Sequence, residues 1–169
     1  MRSAAGARYC GVVSQQNVEI VQAFWKRWLD GSTAPLSVSG GEVVYDHCRD
    51  PDCLFSHLDA LVEVHPLTGA MLEGVSYRGH EGMRQWLDDV AEYWESMWVE
   101  PHQFLDAGDA VVVIGRVHGR GKRSGVAIDA AAGWVCHLRG ARMSYLRFYL
   151  DHSEALEAVG LSEQDLRPD

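Results

Sequence analysis

Positive charge is scarce in this chain. Its 169 residues carry 15 Lys and Arg against 24 Asp and Glu, a formal net charge of −9 at pH 7. Binding nucleic acid calls for a basic stripe that meets phosphates, and none is visible, so no nucleic-acid partner is expected. An anionic membrane surface is disfavoured for the same reason. Long apolar runs are also missing: no stretch approaches the roughly 20 apolar residues that span a bilayer, so no membrane partner is expected. The opening MRSAAGARYCGVV lacks the apolar core of a secretory leader. It reads as a flexible arm over residues 1–16, with the cytoplasm as the expected location. Cysteine is sparse, with Cys10, Cys48, Cys53 and Cys136 the full set. Cys48 and Cys53 lie near His47, His57 and His65, but a lone Cys-x4-Cys is a weak match to zinc ligands. The reading is free thiols, no metal and no cofactor. GRGKRSG does not follow the phosphate-loop pattern or open a helix, and no Ser sits in a nucleophile elbow.

What is present is enough apolar sequence, 47% of residues, for one domain with a sizeable core. Asn17 to Leu29 reads as a helix, with Val18, Val21, Phe24, Trp25, Trp28 and Leu29 at helical spacing and Asn17 as N-cap. Ser32 to Asp50 reads as an inserted loop rich in Ser and Gly. A short helix is expected over Pro51 to Leu58, a strand over Asp59 to Pro66, and an extended piece over Leu72 to Tyr77. A second helix, Gly79 to Trp94, carries the stripe Met83, Trp86, Leu87, Val90 and Trp94. Strands follow at Trp98 to Asp106, Ala110 to His118, Ser124 to Leu138 and Ala141 to Leu150, with Pro101 expected at an edge or bulge. A final helix spans Ser153 to Val159. Strands and helices do not alternate regularly, so the class is α+β, a twisted antiparallel sheet around two to three helices.

NVEIVQAFWKRWLDG, DALVEVHP, YRGHEGMRQWLDDV, VEPHQFLDAGDAVVVIGRVHGRG and YLRFYLDHSEALEAVGL together resemble the nuclear transport factor two-like superfamily. The resemblance is to its SnoaL-like branch, beside ketosteroid isomerases and polyketide cyclases, and covers residues 17–161, leaving a tail over 162–169. It implies a cone with a central pocket, a small hydrophobic or aromatic ligand, and a homodimer formed through the outer face of the sheet.

It also implies site residues. The isomerase base ends the strand that matches DALVEVHP. His65 holds that place, or Val64 if the register differs by one, and a histidine titrates near neutrality. The oxyanion-hole tyrosine and aspartic acid fall on Phe24 and Cys136, which departs from isomerase chemistry because phenylalanine donates nothing and a thiol donates weakly. Val112, Ile114, Arg116 and His118 share one strand face, and the resemblance turns that face inward. Arg116 and His118 would then steady negative charge beside His65; the alternative is a solvated outer face. Phe24, Trp28, Trp86, Val112, Ile114, Trp134, Cys136, Tyr145 and Tyr149 are the expected pocket wall, although tryptophans at helical spacing are also ordinary core. Three functions remain open: an acid–base enzyme of isomerase, cyclase or hydrolase type, a non-catalytic ligand-binding module, or a protein-interaction domain.

Overall fold

A computed structural model describes residues 6–29, 54–66 and 75–166. Among these residues the order is α1 (Gly6–Leu29), β1 (Leu58–His65), β2 (Tyr77–Arg78), α2 (Gly79–Tyr93), β3 (Trp94–Asp106), β4 (Ala110–Gly121), β5 (Ala127–Arg139), β6 (Arg142–Tyr149) and α3 (His152–Glu157). One-turn 3-10 helices at Leu54–His57 and Glu163–Asp165 complete it. The strands form one curved open sheet in the order β2-β1-β6-β5-β4-β3. Every pairing is antiparallel except that of β1 with β6. This is the expected α+β cone.

Several elements begin elsewhere than expected. α1 starts at Gly6, so residues 6–16, read as a flexible arm, are helical. They contain no Pro, and extending an existing helix costs little compared with nucleating one. Asn17 is therefore not an N-cap. It lies inside the helix, 9% exposed, and its Nδ2 donates to the Gly108 carbonyl at 3.5 Å, tying α1 to the β3–β4 turn. Trp94 opens β3 instead of closing α2. Ser32 to Asp50, Cys48, Cys53 and the first half of the Leu72 to Tyr77 run lie outside the described residues.

Alternation along each strand separates two apolar layers. The inner one joins Val62, Val64, Met97, Val99, Val111, Val113, Val117, Ala132, Trp134, Cys136, Met143 and Leu146 to the buried stripes of α1 and α2. The α2 stripe is Met83, Trp86, Leu87 and Val90, as its periodicity indicates. The smaller outer layer seats Ala155 and Leu156 of α3 on Leu105, Ala110, Val112, Ile114 and Val135. Asp151 caps α3 by accepting from the Glu154 amide at 3.1 Å. Pro101 sits on the edge strand β3 where its register with β4 shifts, a place that tolerates its missing donor.

Candidate functional site

The inner face is aromatic. Trp134 on β5 meets Trp25 of α1 edge to face at 4.9 Å between centroids and Phe148 of β6 at 6.1 Å. Trp86 of α2 lies 5.3 Å from Phe148. Phe24, Trp86, Trp134 and Cys136 are fully buried. Burial pushes the Cys136 thiol far above its ordinary range, more than the nearby Trp25 indole lowers it, so it stays protonated. The Trp134 Nε1–H is buried and has no hydrogen-bond partner. Toward the start of β5 and the end of β6 this face opens: Ile128, Ala130, Phe148 and Trp94 pack on the core while remaining partly exposed. Trp94 packs against Gly119, where a Cβ would stand 3.1 Å from its ring; the missing side chain leaves room for the indole there. Trp94, Ile128, Ala130 and Phe148 thus form a rim, with Trp86 and Trp134 beneath it.

The expected catalytic residues are not in this interior. β4 pairs Val111 with Cys136 and Val113 with Trp134, so its odd-numbered residues face the cone. Val112, Ile114, Arg116 and His118 occupy the opposite face, which corrects the inward placement. The physical reason is α3, whose Ala155 and Leu156 need Val112 and Ile114 as an apolar seat. Arg116 pairs with Asp129 at 2.6 Å, and that hydrogen bond holds the Asp129 carboxyl below the usual aspartate range. His118 stands between Glu100, 3.2 Å from Nε2, and Asp129, 3.4 Å from Nδ1. The exposed Trp98 stacks on it with centroids 5.0 Å apart.

The strand end that matches the isomerase base is shifted by one residue. Val64 is fully buried on the inner face, and His65 faces outward, its Nε2 2.6 Å from Glu63 Oε1. Arg78 approaches the same carboxylate at 3.5 Å. Tyr145 and Tyr149 are also outward: the His65 and Tyr145 rings are 5.1 Å apart, and Arg147 lies 5.3 Å over Tyr149. A register irregularity between His137 and Leu138 returns Met143 to the inner face, which separates it from Tyr145 and Tyr149. The side chain of Trp28 lies outside the described residues. Of the expected pocket wall, Phe24, Trp86, Trp134 and Cys136 come together in the cone. Trp94 and Phe148 were missed as rim residues, although the alternation of Phe148 with Tyr149 marks it as core-facing.

Chemically, the interior offers donors and rings. Among the described residues, Asn17 is the single buried polar or charged side chain, so no carboxylate or imidazole is buried there to move a proton.

The SnoaL-like domain family matches residues 46–146. That is more than half the chain, and the protein belongs to this family. No curated protein matches it. Among solved structures, TerC co-crystallised with polyporic acid is 20% identical, with 85% of this chain and 98% of that one covered and a TM-score of 0.59. An NTF2-like protein from Burkholderia thailandensis is 18% identical over 90% and 98%, with a TM-score of 0.60. A protein of ketosteroid isomerase-like fold from Catenulispora acidiphila, in complex with trimethylamine, is 18% identical over 86% and 97%, with a TM-score of 0.56. At these identities what is shared is the fold. None of the described helices is long and apolar enough to cross a membrane.

Proposed function

We propose that this protein binds a small, neutral, apolar or aromatic molecule at the open end of the cone, without catalysing its conversion. The observation that carries this reading is the unsatisfied Trp134 N–H within an aromatic layer that leads to a partly exposed apolar rim. A buried donor without an acceptor costs about 1–3 kcal/mol, which a ligand's carbonyl oxygen would recover. A neutral ligand fits because no buried charge among the described residues could pair with an ion. The polyporic acid and trimethylamine complexes of the two similar folds accord with a small-molecule role. The test is a thermal-shift comparison of 2-acetylnaphthalene with 2-ethylnaphthalene, which differ in the acceptor. The ketone raises the melting temperature more, and Trp134→Phe removes the difference. Equal shifts in both proteins would overturn the reading.

The close Glu63–His65 pair beside Tyr145 favours a second reading, acid–base chemistry at His65 on the outer face. Arg116 and His118 are then a separate cluster tied to His65 only through the sheet. Turnover abolished by His65→Ala would support this enzyme over the binding module. The proposal includes a homodimer through the outer face, supported by the exposed Trp98 beside a patch carrying both signs of charge. It also includes a cytoplasmic location, in keeping with the free buried Cys136.

A further inference from the structure

The turn between β5 and β6 is two residues long, Gly140-Ala141, and Arg139 and Arg142 face one another as the last pair of the ladder. Gly140 adopts φ +62°, the conformation that such a tight turn takes at its first central position. Two like charges directly opposite on a ladder destabilise it. Neither guanidinium makes an ion pair or side-chain hydrogen bond among the described residues, while Arg78, Arg84, Arg116, Arg120 and Arg147 each meet a carboxylate, a carbonyl or a ring. Both line an open recess of about 500 Å³, together with Ser56, Asp59 and the turn itself. The recess also holds one carboxylate, Asp59, whose Oδ1 accepts from the Leu61 amide at 2.8 Å. A Cβ added at Gly140 would meet nothing within 4 Å, so the space over the turn is clear. In a chain of net charge −9 this is a local excess of positive charge, two guanidinium groups against one carboxylate.

We infer that this recess is a second binding site, separate from the cone, for the phosphate group of a small molecule. Two planar guanidinium forks flanking one concavity suit an oxyanion that accepts from both, and a dianion suits two cations better than a single charge does. The like-charge pair is then a cost of the empty site that the ligand removes. Arg139 and Arg142 are its binding residues, and the tight turn holds them at a fixed separation.

The test uses the full chain with inorganic phosphate as the probe, titrated against chloride at constant ionic strength, with melting temperature as the readout. Phosphate raises the melting temperature saturably in the wild type, by the amount that linkage to the folded state requires. Arg139→Gln and Arg142→Gln each weaken the apparent affinity by about tenfold or more, the weight of a charge-assisted hydrogen bond. Arg123→Gln, in the β4–β5 turn, leaves it unchanged. Without phosphate the order inverts: Arg142→Gln melts above the wild type, because the repulsion is gone. A wild type indifferent to phosphate, a response that survives both pocket variants, or an equal loss in Arg123→Gln would overturn the inference. None of these outcomes depends on what the cone binds.

Discussion

Trp25 and Trp134 meet edge to face inside the cone, 4.9 Å between ring centroids. The Trp134 Nε1–H is buried among these rings without an acceptor. Close packing sets both rings, and their aromatic contact contributes about 0.5–1.5 kcal/mol beyond area burial. Packing does not supply a partner for the Trp134 donor.

Tyr77 predicts an alkaline limit to stability. Burial, reinforced by its 2.5 Å hydrogen bond to Asp89, raises its phenol to about 12 from 10.0. The folded value exceeds the unfolded one, so the contribution of the neutral phenol is complete below pH 10 and is withdrawn as the pH rises toward 12. Tyr77→Phe should cost about 1 kcal/mol at neutral pH by losing the hydrogen bond. It should also flatten the fall in melting temperature between pH 10.0 and about 12, the window set by the unfolded and folded values. A fall identical in the two proteins would place the alkaline transition elsewhere.

Gly133 predicts a packing limit. A Cβ there would overlap the Cβ of Ala155, because α3 lies directly on β5. Gly133→Ala should therefore lift α3 and destabilise by about 1–3 kcal/mol. Adding Ala155→Gly should recover part of the loss, less about 1 kcal/mol for a helical glycine. Urea midpoints of the three proteins check this, and an unaffected Gly133→Ala midpoint would mean that α3 does not rest there.

Trp98 predicts the oligomeric state. It is 54% exposed and stacked on His118 beside Glu100, Arg116 and Asp129. In the proposed homodimer, Trp98→Asp buries an unpaired charge at the interface and should weaken association by at least tenfold, about 1.4 kcal/mol or more. Sedimentation velocity should show a dimer for the wild type and monomer for the variant. A wild type that sediments as a monomer at high concentration would remove the dimer from the account.

The fold was legible in the sequence because each signal is local. The α2 stripe Met83, Trp86, Leu87 and Val90 and the glycine-bounded strands from Ala110 onward follow from period and turn chemistry alone. The facing of the strands was not legible. In Ala110 to His118 both alternating sets begin apolar, because α3 covers one face and the cone the other, so alternation does not say which is inside. The same single-residue ambiguity put His65 where Val64 stands. Trp134 and Cys136 lie on the inner face; the family resemblance pointed Cys136 there, whereas the alternation of the strand with Val135 and His137 left the facing open. The irregularity that separates Met143 from Tyr145 leaves no mark in composition, since it is set by register against β5.

The most direct test of the cone reading is a proton–nitrogen correlation spectrum of the six tryptophan indoles, with the Trp134 signal assigned by its loss in Trp134→Phe. Adding 2-acetylnaphthalene should move the Trp134 Nε1 proton downfield, as expected for a new hydrogen bond, while 2-ethylnaphthalene should not. A Trp134 signal that stays in place while the ketone binds and perturbs other indoles would contradict the account.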